Sequence, residues 1–241
     1  MRAISKDVEN TINWWRDTGV DVIVSDEPRS WLEEAKLPAK ASTEKSVTKP
    51  AETPAVSITI PDDLDGLRNW LLTTDTLPMP VGERLDAIGD PASGLMILVD
   101  MPDRRDAEAG QLLSGDTGLL FDRMLAAIGR DRASTYIAAL APARISGGSI
   151  DENSLELLAR VARQHVALAQ PNQLLLMGDA PSRVFCGSSL DESRGSQPNF
   201  NHDGGSVAVT ATFHPRFLLQ QPRLKAQSWK DLQMMTEGMT A

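Results

Sequence analysis

His214 is one of only three histidines in the 241 residues, and it sits inside "TATFHPRFLLQQPRLKAQSWKDL" (210–232), after a β-rich run and before a proline. An imidazole fixed at a strand tip can donate a hydrogen bond to developing negative charge, or act as an acid or a base. Pro215 removes a backbone donor and biases His214 toward extended backbone. The competing reading is a packed strand-end histidine bonded to a carbonyl. Asp100 ends a second apolar run, "GLMILVD" (94–100). A carboxylate there can orient or activate a water, although an Asp ending a strand is more often a cap or turn residue.

Positioning these groups requires a sheet. The runs at 94–100, 134–141, 172–178 and 206–212 alternate with helical patterns at about 117–129 and 152–169. Continuous apolar strands separated by crossovers of this length predict a three-layer α/β/α sandwich around a central, mainly parallel four-stranded sheet. Ligands of such sheets bind in the crevice beyond the carboxyl ends of the strands. Asp100 with Met101 and Pro102, Gly178 with Asp179, and Phe213 with His214 all fall there.

Ahead of this domain, Val8, Ile12 and Trp15 recur at helical spacing, and "LPAKASTEKSVTKPAETPAVS" is rich in Pro, Ala, Lys, Ser and Thr. The expected organisation is an N-terminal helical segment (1–35), a flexible linker (36–57) and an α/β domain (58–241), with the N-terminal helix available to a protein partner.

Several classes are set aside. One cysteine, Cys186, leaves no internal disulfide and no cysteine-built metal site, and His165 and His202 lack partners at ligand spacing. "GDTGLLFDRML" (115–125) has glycines ahead of a helix that could approach an anion, but no phosphate-loop lysine. No G-x-S-x-G elbow supports a Ser-His-Asp hydrolase. No run approaches the roughly 18 to 20 apolar residues of a membrane span, and no signal pattern is visible, so a cytoplasmic protein is expected. The net charge of −9 weighs against nucleic acid. From Pro181 onward, however, Arg183, Arg194, Arg216, Arg223, Lys225 and Lys230 outnumber five acidic residues. Trp229 is expected to pack.

Taken in order, these segments resemble the family-4 branch of the uracil-DNA glycosylase superfamily over about Leu64 to Met235. The carriers are "VDMPDRRDAEAGQLLSGDTGLLFDRMLAAIG" (99–129), "YIAAL", Arg194-Gly195, "TFHPRFLL", Lys225 and "WKDL". The resemblance implies a glycosylase that removes uracil or another damaged base by hydrolysing its N-glycosidic bond in base excision repair. It implies His214 and Asp100 as catalytic residues, and Met101, Pro102, Leu113 and Ala139 around the base. Arg194, Pro215, Arg216 and Lys225 would then face single- or double-stranded DNA.

The departures fall on the site. Leu113 stands where the family has a base-stacking Phe, Ala139 where it has an edge-reading Asn, and Asp100 where it has a Glu. Asp103 replaces a loop glycine, and Arg216 a small residue. The family's four iron-sulfur cysteines are absent, with "RNWLLTTDTL" in place of the first pair, so no cofactor is expected. A bidentate edge contact contributes about 1 to 3 kcal/mol of discrimination. Its loss leaves a second expectation open, a catalytically degenerate member acting as a DNA-binding or protein-interaction module.

Overall fold

The computed structural model describes residues 59–145, 147–148 and 150–240. The expected N-terminal helix and linker lie outside them. Six strands form one sheet: β1 (Ile88–Gly89), β2 (Leu95–Val99), β3 (Tyr136–Ala139), β4 (Gln173–Met177), β5 (Asn199–His202) and β6 (Gly205–Thr212). Their order is β1-β3-β2-β4-β6-β5. The helices are α1 (Leu64–Thr73), α2 (Arg104–Ala109), α3 (Gly115–Ala127), α4 (Glu152–Ala169), α5 (Asp179–Cys186), α6 (Leu190–Ser193), α7 (Pro215–Gln220) and α8 (Lys225–Thr240).

Every residue of β2 and β4 is buried, as a strand without a polar face demands. The four central strands pair in parallel, with Ile97 opposite Ile137 and Leu175, and Leu175 opposite Thr210. Alternation along the strands then builds two cores. Met96, Leu98, Leu174 and Leu176 pack with Leu67 of α1, Leu158 and Val166 of α4 and Phe185 of α5. Ile97, Val99, Leu175 and Met177 pack with Phe121 and Leu125 of α3 and Leu232 and Met235 of α8. This is the expected three-layer sandwich. Two short antiparallel strands extend it: β1 against β3, and β5 against β6. The first is two residues long and the second reads "NFNH", so neither carries an apolar run that marks a strand.

Arg84 closes the segment between α1 and β1. Its side chain is buried, and it donates to the carbonyls of Leu71, Thr74, Leu77 and Met79 at 3.0, 2.6, 3.5 and 2.8 Å. Arg84→Met leaves those acceptors without their donor. Because buried polar groups left without partners cost about 1 to 3 kcal/mol each, a loss of roughly 3 kcal/mol in urea unfolding is expected. An unchanged midpoint would show that water replaces the guanidinium at no cost.

Among the described residues no helix is long and apolar enough to cross a membrane.

Candidate functional site

The carboxyl ends of β2, β4 and β6 converge. Gly178, at φ 116°, follows β4, and a Cβ placed on it would lie 3.9 Å from Cβ of Asp100 and 4.0 Å from Cβ of His214. The three strand-end segments are therefore in van der Waals reach of one another.

His214 is 7% exposed and caps α7, with Nδ1 accepting from the Arg216 N–H at 3.1 Å. A ring nitrogen that accepts carries no proton, so the neutral ring's hydrogen is on Nε2. That atom is buried and has no hydrogen-bond partner. Asp100 Oδ1 lies 3.6 Å from it, too far for a hydrogen bond. Burial holds the imidazole below its ordinary pKa, with Arg216 acting in the same direction and Asp100 opposing. The result is a neutral donor kept ready beside a carboxylate. A buried N–H left unpaired is uncommon enough to call for an explanation.

Asp100 accepts from its own Met101 N–H at 2.8 Å through Oδ1, and from Arg216 Nη2 at 3.2 Å through Oδ2. The other end of the same guanidinium lies 3.5 Å from Asp103, which also faces Arg144 at 3.6 Å. Arg216 thus ties together both ends of the loop that holds Met101 and Pro102. A cavity of about 560 Å³ opens on the His214 side, lined among others by Asp100, Asp179, Asp191, Arg216 and Phe217.

The residues expected around a base lie apart from that cavity. Met101, Pro102 and Leu113 are buried, Ala139 is half-buried, and none of the four lines that cavity. Leu113 has φ 55°, an uncommon backbone for a branched side chain. Arg132 holds it there by donating to the carbonyls of Leu112 and Leu113. Gly118 permits the approach, since a Cβ there would fall 2.1 Å from the Leu113 carbonyl oxygen. The "GDTG" run accordingly opens α3 and packs against this turn.

Arg194 is turned into the fold. It pairs with Asp231, donates to Gln227 and lies 4.0 Å over the Phe213 ring. Pro215 is buried at the first position of α7, and Lys225 is exposed at the start of α8. His165 bonds the Tyr136 hydroxyl at 2.8 Å, and burial pushes its ring down to about 4. Trp229, expected to pack, is 40% exposed.

Sequence reasoning missed Asp106. It is buried, and its carboxylate accepts from Ser114 N–H and Oγ and from Asp103 N–H at 2.7, 2.6 and 3.0 Å. The D-x-x-D spacing from Asp103 was the available signal, a capping box at the start of α2.

The sequence profile described as "Uracil DNA glycosylase superfamily" matches residues 87–233. The chain belongs to the uracil DNA glycosylase superfamily. It is 23% identical over 186 residues to the type-4 uracil-DNA glycosylase of Pyrobaculum aerophilum, which covers 73% of this chain and 94% of that protein. Within the superfamily the chain is family-4-like. A four-thiolate iron-sulfur cluster does not fit its residues. The single thiol, Cys186, is half-buried and pushed up in pKa by that burial, and the segment from Arg68 to Leu77 is closed by Arg84 instead.

Proposed function

We propose that this superfamily member is a DNA N-glycosylase, releasing uracil or another damaged base by hydrolysis of the N-glycosidic bond. The observation that carries the reading is the buried, unpartnered Nε2–H of His214 beside Asp100. The glycosidic bond is unreachable in a stacked duplex, so the nucleotide must be extruded, at a cost of a few kcal/mol. Phe217 and Leu219, 43% and 40% exposed on α7, are suited to wedge into the opened stack. As the bond from C1′ to the base nitrogen breaks, its electron pair moves onto the base. The Nε2–H donates to that negative charge, and preorganised donors of this kind account for a large share of catalysis. Asp100 positions a water for attack on C1′ and accepts its proton, leaving a hydroxyl on the sugar and a free base.

In this reading the DNA backbone meets Arg216 and Lys225, while Pro215 is buried at the first position of α7. Arg216 exchanges Asp100 for a phosphate, a small cost because partly exposed ion pairs contribute about 0 to 1 kcal/mol. Arg194 acts indirectly, by packing on Phe213 next to His214.

One observation favours a second reading. Arg216 bars the loop of Met101 and Pro102, and the open cavity carries Asp100, Asp179 and Asp191 against one guanidinium. A catalytically silent member that binds DNA or protein would have this arrangement. The deciding assay uses labelled single- and double-stranded oligonucleotides carrying uracil, hypoxanthine or xanthine. Strand cleavage after alkali is expected from the native protein. Activity seen only in Arg216→Ala would make Arg216 a bar to the base. No cleavage from either protein, with folding verified by circular dichroism, would establish the silent member.

A further inference from the structure

A second groove lies away from His214, where α3 meets α8. Each helix contributes a stripe at helical spacing: Leu120, Arg123, Met124 and Ala127 from α3, and Lys225, Ser228, Trp229 and Leu232 from α8. Leu218 of α7 completes the wall of a cavity of about 200 Å³. Leu218 and Leu232 are buried, while Trp229 is 40% exposed. Leu119, one residue from the α3 stripe, is the most exposed large apolar side chain among the described residues at 59%.

The rim is cationic. Arg123 and Lys225 are exposed, and no carboxylate lines the cavity, in a chain of net charge −9. The nearest carboxylates in sequence are already engaged: Asp122 bonds Arg132 at 2.7 Å and Asp231 bonds Arg194 at 2.8 Å. Charge on the rim is therefore left for a partner. A phosphodiester could meet the two cations, but its paired bases would leave the apolar walls uncovered. An amphipathic segment with one bulky apolar residue between carboxylates satisfies both, as helix-in-groove recognition requires.

We propose that the α3–α8 groove docks an acidic peptide segment of a partner protein. One large apolar side chain sits between Trp229 and Leu218, and flanking carboxylates meet Arg123 and Lys225. The groove shares Lys225 with the proposed DNA-facing surface, but it shares no residue with the His214–Asp100 pair.

The test is fluorescence anisotropy of the full chain with a short labelled peptide of Asp and Glu around a central Leu-Phe pair. Saturable, salt-sensitive binding is expected. Trp229→Ser, with folding checked by circular dichroism, should weaken it by at least roughly tenfold, and Arg123→Glu with Lys225→Glu should do the same. The charge-reversed protein should in turn bind the peptide with Lys in place of Asp and Glu. Absence of saturable binding overturns the proposal, as does equal affinity for a peptide with Ser in place of Leu-Phe. If charge reversal weakens oligonucleotide binding and spares the peptide, the face belongs to DNA. If Trp229→Ser abolishes a concentration-dependent self-association in light scattering, its occupant is a second copy.

Discussion

His214→Ala is expected to lower the single-turnover rate of base release by about 100- to 1000-fold, the usual consequence of removing one preorganised donor to a developing oxyanion. Alanine also removes the α7 cap, a separate loss of about 1 kcal/mol in stability. His214→Asn distinguishes the two effects. Its short side chain can still accept from the Arg216 N–H but does not extend to where Nε2 faces Asp100. Restored stability with the rate still lost would assign the rate to the donor. A rate restored along with the cap would mean that His214 only holds α7.

The pH dependence follows from the same geometry. Burial lowers the folded-state pKa of His214 below its ordinary value near 6.5. The stability gained from the neutral ring is thus complete above the unfolded value and is lost as pH falls from there through the lowered folded value. Protonation places a hydrogen on Nδ1 opposite the Arg216 N–H, setting two donors against each other. Activity should therefore persist through neutral pH and fall on the acid side together with α7 order. A rate rising as pH falls below 6.5 would point to the imidazolium as the active form.

The sheet was legible because β2 is apolar at every position and β4 at every position after Gln173, which only a doubly covered strand tolerates. Its two edges were not, because pairing there depends on backbone bonds and leaves little side-chain pattern. The rim was equally legible, since strand ends in such a fold converge whatever residues they carry. Which polar groups face one another across it was not. Arg216 was expected against DNA and lies on Asp100 and Asp103, more than a hundred positions away in the chain. Spacing along one segment has no access to a partner that only folding supplies. Leu113 shows the same limit from the backbone side: its left-handed conformation depends on Arg132, which sits beyond α3.

Asp231→Ala should reduce stability by about 3 to 5 kcal/mol, the range for removing one member of a buried, hydrogen-bonded ion pair. Asp231 is 3% exposed and Arg194 holds it with two bonds, Nε at 2.8 Å and Nη2 at 3.2 Å. Thr212 Oγ1 donates to the same carboxylate at 2.9 Å and lies 2.8 Å from Ser228 Oγ. The "RG" and "WKDL" runs, far apart in sequence, are thus one internal joint. It ties α8 to the last residue of β6, two positions before His214. Solvent screening does little here because both partners are largely enclosed. Replacing both charges, with Arg194→Met and Asp231→Leu, should cost less than the sum of the single changes, since neither partner is then left buried alone. Urea unfolding of the four proteins in that cycle measures the difference. Strict additivity would mean that the two charges contribute independently and that Thr212 and Ser228 carry the joint. A double change that costs less than the sum would identify the Arg194–Asp231 pair as the main contributor to the joint between α8 and the end of β6.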